Sequence, residues 1–180
     1  MVARIVAVHR SGSHEFSKTP VDVIELVAGV GVDGDAHAGA QVKHRSRVAA
    51  DPTQPNLRQV HLMHSELFEQ VAVRGFTVRP GDLGENITTE GLDLLGLPVG
   101  TTLAIGPDAL ITLTGLRNPC RQINAFSDGL LSELVYNDDE GITVRLGGVM
   151  SVVVRGGTIR PGDTIAVGLP PEPHHALVRV

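Results

Sequence analysis

Apolar and polar positions alternate along this chain in short bursts, each halted by glycine, proline or aspartate. ARIVAVH (3–9), VDVIELV (21–27), RQVHLM (58–63), NITT (86–89), TTLAIG (101–106), ALITLTGL (109–116), GVMSVVV (148–154) and DTIAVG (163–168) are rich in β-branched residues and read as strands. Regular short strands separated by turns predict a mainly β protein with a few short helices. They favour a barrel or a sandwich over a parallel sheet with crossover helices. Two segments follow the helical period instead. In HSELFEQVAVRG (64–75), Leu67, Phe68, Val71 and Ala72 share a face, Ser65 is placed to cap and Gly75 to stop the helix. DGLLSELVY (128–136) gathers Leu130, Leu131, Leu134 and Val135 on one side. Both helices are expected to plug a barrel end.

One pattern is used twice. LPVGTTLAIG (97–106) and IRPGDTIAVG (159–168) each run from a Pro/Gly turn through a strand to a closing glycine, which reads as reused turn chemistry, not a duplicated domain. The stretch 40–56 is polar, contains proline and has no period, so it reads as a surface loop. The tail 169–180 starts extended at Pro170 and is expected to be partly mobile.

Composition narrows the class. With 180 residues, 42% hydrophobic and 19% charged, residues 1–180 are expected to form one globular domain. No Trp, one Tyr and four Phe leave the core to Val, Leu, Ile and Ala. No apolar run suits a spanning helix, and the N-terminus lacks a signal-peptide pattern, so a cytoplasmic protein with no membrane partner is expected. The net charge of −5 argues against nucleic acid as a partner. Basic residues cluster only locally, at Lys43, His44, Arg45 and Arg47 and around Cys120, which suits a small anionic ligand.

Four segments could carry chemistry. Cys120 is the single cysteine, so it forms no internal disulfide and cannot by itself hold an iron–sulfur cluster. Arg117 and Arg121 flank it, and Asn118-Pro119 reverses the chain so that Cys120 starts a short helix. Nearby guanidiniums and a helix start favour a thiolate. The residues leave open a buried hydrophobe, a nucleophile or a metal ligand. In GVGVDGDAHAG (29–39), Asp33, Asp35 and His37 alternate and could share a face as a divalent-ion site. The glycines, Gly34 among them, point instead to a tight turn whose aspartates accept backbone N–H bonds. RPGDLGENIT (79–88) offers Gly84, Glu85 and Asn86 in a compact turn, which could cradle a ligand or simply turn a barrel corner. Lys18 in SGSHEFSKTPV (11–21) suits a phosphate, or is a solvated loop lysine. His61 and His64 read as packed or capping residues.

Taken in order, SHEFSKTPV, GVDGDAHAG, PGDLGENITTEGL, LPVGTTLAIG, the PC of LRNPCRQ, GGV and GGTIRPGD resemble the MOSC family, named for the C-terminal domain of molybdenum-cofactor sulfurases. The resemblance covers about 4–168 and looks like a stand-alone bacterial member, with no pyridoxal-phosphate sulfurase domain ahead of it. It implies a MOSC-type closed β-barrel that binds the molybdenum cofactor (molybdopterin). In catalytic relatives the single cysteine ligates molybdenum, and Cys120 matches it. Gly84, Glu85 and Asn86 match the family's GEN turn, Asp33, Gly34, Asp35 and His37 its glycine–aspartate segment, and Lys18 the lysine of its SK-x-P segment. Arg117 and Arg121 are added on electrostatic grounds. Pyridoxal phosphate is not expected, because it belongs to the sulfurase partner domain.

Three functions follow. The first is a molybdenum-dependent reductase of N-hydroxylated compounds. It would need an external electron-donating reductase, because this chain has one cysteine and no strand–GxGxxG–helix unit. The second is a cofactor or sulfur carrier with a persulfide on Cys120. The third is a small metallohydrolase using Asp33, Asp35 and His37.

Overall fold

The computed structural model describes residues 2–43, 48–49 and 51–180. His44, Arg45 and Arg47 of the expected basic cluster lie outside the described residues. In chain order the elements are β1 (Arg4–Arg10), β2 (Thr19–Val21), β3 (Ile24–Val27), β4 (Gly31–Val32), β5 (Val60–His64), α1 (Glu66–Val73), β6 (Ile87–Glu90), β7 (Thr102–Ile105), β8 (Ala109–Leu116), α2 (Gln122–Phe126), α3 (Leu130–Leu134), β9 (Val135–Asn137), β10 (Thr143–Arg145), β11 (Val149–Arg155), β12 (Gly157–Ile159) and β13 (Ile165–Gly168). No helix among the described residues is long and apolar enough to cross a membrane.

Eight strands form one sheet in the order β13-β7-β8-β11-β5-β6-β1-β2. Period-two patterning drives it. In β8, Ala109, Ile111, Leu113 and Gly115 turn inward while their neighbours are half-buried, as the sequence alternation requires. The repeated Pro/Gly segments turn out to be sheet neighbours, β7 and β13, paired antiparallel from Ile105–Ile165 to Thr102–Gly168.

The sheet is a curled half-barrel and not the closed barrel expected. Its ends β13 and β2 do not pair. Contact across the opening is confined to one corner, with an Arg4–Thr164 bridge and backbone bonds between Ile5 and Asp163 and between Ile165 and Ala3. The reason lies in β1, whose far half, Val8–Arg10, is occupied by β2, so no ladder with β13 can run along it.

Other boundaries shift for similar reasons. The expected strand 21–27 breaks at Asp22–Val23, so that β2 joins β1 while β3 joins a separate sheet, β12-β3-β4. β5 and β6 pair in parallel, with α1 between them in the chain. Ser65 precedes α1 without a side-chain cap bond; its N–H goes to the Thr89 carbonyl instead. The segment 128–136 is helical only over α3 before it turns into β9, which pairs with β10. The tail is docked where mobility was expected. Leu177 enters the core, and Leu116 and Val180 exchange backbone bonds with the tail and with β8.

Two apolar clusters result. The larger fills the curl of the sheet with Ile5, Val8, Leu62, Ile87, Leu103, Ile111, Val149 and their neighbours. The smaller is built by the helices on Met63, with Leu67, Val71, Leu83, Ile123, Leu130 and Leu134. The helices thus form a core of their own beside β5. β5 serves both clusters, and Val60, His61, Leu62 and Met63 are all buried, so both of its faces are covered.

These clusters set a stability contrast. Ile87→Ala, at a fully buried position between β5 and β1, should cost about 2–5 kcal/mol. Val167→Ala, half-exposed on β13, should stay within about 0.5 kcal/mol of the parent. Urea unfolding of both variants measures the difference.

Candidate functional site

The site forms where three loops that are distant in sequence meet the end of β5. The loop before β6 is pinned to the segment before β2. Lys18 N–H bonds the Gly81 carbonyl at 2.9 Å, and the Ser17 hydroxyl bonds the Asp82 carbonyl at 2.7 Å. The contact is too close for side chains at the turn glycines. A Cβ on Gly81 would stand 2.6 Å from the Lys18 carbonyl oxygen and 2.7 Å from His9, and one on Gly84 would press on the Phe16 carbonyl. Both glycines also take positive φ, 90° and 84°, which L side chains rarely adopt.

Below this seam lies a buried polar network. Lys18 Nζ donates to Asp35 Oδ2 at 2.6 Å, and both side chains are buried. Asn86 Nδ2 donates to the same oxygen at 2.9 Å, while the His37 amide at 3.0 Å and His37 Nδ1 at 3.3 Å face Oδ1. Burial alone would raise the Asp35 carboxyl. The hydrogen bond from His37 and the charge and hydrogen bond of Lys18 outweigh it and hold Asp35 well below the ordinary carboxylate range. Asn86 extends the network into the sheet, bonding His61 through both its backbone N–H and its side-chain oxygen and giving its carbonyl to His9.

Glu85 is fully buried beside this network. Its Oε1 accepts the Gly81 N–H at 2.6 Å and the Thr88 hydroxyl at 3.1 Å, while Oε2 has no partner among the described residues. Burial pushes its carboxyl up. His61 gives Nε2 to the Gly147 carbonyl at 2.8 Å. Burial, then the charge of Arg117, drive its imidazole far below the ordinary value, so it is neutral near pH 7 and Nε2 is the donor.

Above the network opens a cleft walled by Glu15, Phe16, Lys18, His37, Arg58, His61, Gly84, Asn86, Arg117, Gln122 and Met150. It is cationic. The Arg117 guanidinium lies 6.0 Å over the Phe16 ring, and its Nη1 is buried without a protein partner among the described residues. Glu85 and Cys120 are both near enough to act on its charge. Cys120 is half-buried at the edge of the cleft, and its thiol lies 3.3 Å from the side-chain oxygen of Gln122, a cleft residue. It lies just ahead of α2 and its cap Arg121, and not in the helix's first turn as expected, with its carbonyl accepting the Ile123 N–H.

The sequence candidates therefore separate. Lys18, His37, Gly84, Asn86 and Arg117 line the cleft, Asp35 and Glu85 sit beneath it and Cys120 beside it. Arg121 is exposed ahead of α2 and is not a cleft residue, so its expected place there is corrected. Asp33 and Gly34 are exposed in the turn, against Arg10. Asp33, Asp35 and His37 do not share a face; the segment is a tight turn, the reading its glycines favoured, in which Asp35 accepts the His37 N–H and is occupied by Lys18 and Asn86. No three His, Cys, Asp or Glu side chains among the described residues converge as a metal site. Phe16, Arg58 and Met150 were missed. His61 was read as packed, although it also forms the floor. Only folding brings these four to the cleft, and no local pattern marks them.

A family model described as the MOSC domain matches residues 34–166. No curated protein matches the chain. Among solved structures, the fold is similar to that of the YuaD protein from Bacillus subtilis, with TM-score 0.75, 22% identity and 95% of this chain and 98% of that one covered. It is also similar to YiiM from Escherichia coli, with TM-score 0.62, 18% identity and 96% and 73% covered. YiiM from Geobacillus stearothermophilus gives TM-score 0.60 at 18% identity, covering 97% and 77%.

Two measurements probe the network. Lys18→Met should destabilise the fold by about 3–5 kcal/mol by stranding a buried carboxylate, and adding Asp35→Asn should recover part of the loss. His9 is fully buried with neither ring nitrogen partnered among the described residues, and burial pushes it down to about 4 from 6.5. The folded state then binds fewer protons than the unfolded one between these values. Its contribution is complete above about pH 6.5 and falls as the pH drops toward 4. His9→Leu should flatten that part of the stability–pH curve, measured by urea midpoints.

Proposed function

This chain belongs to the MOSC domain family, and from that membership we propose that it binds the molybdenum cofactor and reduces N-hydroxylated compounds, with Cys120 as the molybdenum ligand. The family is associated with molybdenum-cofactor binding. The observation that carries the reading is the placement of the single thiol, Cys120, beside a cleft whose Arg117 Nη1 is buried without an acceptor among the described residues. An unpaired buried guanidinium nitrogen calls for an anion, and a thiolate suits a soft metal. The residues present therefore fit a phosphate-bearing, metal-carrying group.

When bound, the cofactor supplies the two-electron chemistry of N–O reduction. The chain's own residues bind and orient. Arg117, Arg58 and Lys18 hold negative charge, with Lys18 kept in place by Asp35. Gly84 lets the backbone come close, and neutral His61 fixes the floor through Gly147. Phe16 and Met150 give the cleft apolar walls that limit water. With one cysteine, the chain has no cluster of its own to deliver electrons, so an external flavoprotein or iron–sulfur reductase is the partner. The partial exposure of Cys120 also suits a carrier that holds a persulfide, and turnover separates the two readings.

The test is elemental analysis of protein from a cofactor-making host, then turnover of an amidoxime with a reductase extract. Cys120→Ser should drop molybdenum to a small fraction of the parent while keeping its urea midpoint, because the side chain is half-exposed. Parental metal content in that variant would remove the ligand role. Molybdenum without turnover under any donor would favour the carrier.

A further inference from the structure

A recess separate from the cleft lies between α1, α3 and the β9–β10 hairpin. Leu67, Val71 and Leu146 give it an apolar lining, and Arg74, Glu133 and Tyr136 stand around them. Leu67 and Val71 are buried, so the recess opens onto the smaller apolar cluster. The hairpin is a two-stranded sheet with no third strand. Tyr136 pairs with Val144, and the Asp138 N–H carries the ladder one step farther by bonding the Ile142 carbonyl at 3.0 Å. The period of two then puts Tyr136, Val144 and Ile142 on one face. Tyr136 is 45% exposed there and Ile142 59%.

The hairpin turn is pinned. Asp138 Oδ1 accepts the N–H of Glu140 at 3.0 Å and of Ile142 at 2.8 Å, and the Thr143 hydroxyl bonds Asn137 Oδ1 at 3.0 Å. A tyrosine ring and an isoleucine held out to water on such a frame mark a contact surface. Acid dominates around them. Asp138, Asp139 and Glu140 are exposed at the turn and Glu133 stands at the recess, against Arg74. Arg145, the hairpin's own cation, turns instead to the Asn118 side chain and the Thr143 carbonyl. The base of the hairpin leads to the cleft. Arg145 reaches the loop that carries Cys120, and the Leu146 N–H bonds the Leu134 carbonyl at 2.9 Å. The next residue, Gly147, gives its carbonyl to His61 on the cleft floor.

We propose that this recess and hairpin face dock the electron-donating reductase, through a surface that offers an apolar side chain to the recess and Lys or Arg to the turn. The proposal rests on the reductase reading and adds to it where the donor binds and what charge it carries there. Tyr136 and Ile142 supply the apolar contact, and the acidic turn steers in a cationic surface. Residues 145–147 join this surface to the Cys120 loop and the cleft floor, so a protein seated here stands beside the centre it must reduce. A second copy of the chain, itself at −5, would bring like charge instead. Each turnover takes two electrons from the donor's flavin or iron–sulfur centre and two protons from water. The N–O bond of an amidoxime breaks, giving an amidine and water.

The test gives the cofactor-loaded full chain an amidoxime and two donors, a reductase extract and dithionite-reduced methyl viologen, which is small and needs no docking surface. Asp139→Lys with Glu140→Lys, at exposed turn positions, should slow extract-driven turnover at low salt by about tenfold or more, the gap closing as salt rises. Tyr136→Ser is the second variant and should slow the same rate. Both should keep the parental molybdenum content and viologen-driven rate. Ferrous cytochrome c, a basic redox protein, is the binding probe, and the amide NMR shifts it causes should fall on α1 and the hairpin. Extract-driven rates at the parental level in both variants overturn the docking surface and leave the reductase. Equal losses with both donors overturn it too, because docking cannot slow a small donor. Cytochrome c shifts elsewhere on the chain, unmoved by the charge reversal, overturn the surface by themselves. A wild type that turns over with neither donor sinks the reductase reading and the donor as occupant, and shifts confined to the hairpin then leave only a surface for a basic protein.

Discussion

The Lys18–Asp35 ion pair is the constraint on which the site depends. Two opposite charges out of water are costly unless each is paired and its remaining hydrogen-bonding capacity met. Here Asp35 is satisfied by Lys18, Asn86 and His37 together, so three loops must arrive at one point. Asn86 in turn bonds β5 through His61 and β1 through His9. The pair adds little as a source of stability, but it specifies the register of the loops. A shift of either loop by one residue would strand a buried charge.

The cleft follows from that seam. Gly81 and Gly84 let the loop before β6 lie directly on the backbone of residues 16–18, and this contact leaves Phe16 and Lys18 facing Arg117 across an opening. The opening also lies where the two apolar clusters part. β5 carries Leu62 into one and Met63 into the other, and His61 between them points to the cleft floor. A polar pocket at the junction of two cores interrupts neither. Lys18, Arg58 and Arg117 gather at the cleft although the whole chain carries −5, so the field there differs from what the net charge alone implies.

Two groups show how folding changes the chemistry of an ordinary residue. His61 and His9 are both drawn far from the usual imidazole range by burial. His61 becomes a neutral donor with a fixed tautomer. His9 lies under Gly81 and makes the packing there sensitive to acid. Glu85 shows the opposite sign, a carboxyl raised by burial beside the guanidinium of Arg117.

The sequence by itself determined the β-rich class, the positions of most strands in the large sheet, and the family through its ordered glycine, aspartate and Pro-Cys motifs. These are local properties, set by period-two alternation and by turn chemistry that few residues can supply. It also named Lys18, His37, Gly84, Asn86, Arg117 and Cys120, because polar residues amid glycine turns stand out against an apolar background. Only the tertiary structure decided that the sheet stays a half-barrel, since whether β1 bonds β2 or β13 is a competition between distant partners. It also separated Asp33 from Asp35 and sent Arg121 to solvent, through backbone bends that alternation along the chain does not reveal. Phe16, Arg58, His61 and Met150 joined the cleft the same way. Each sits in a segment that reads as ordinary strand or loop, and its role exists only in the space it shares with the others.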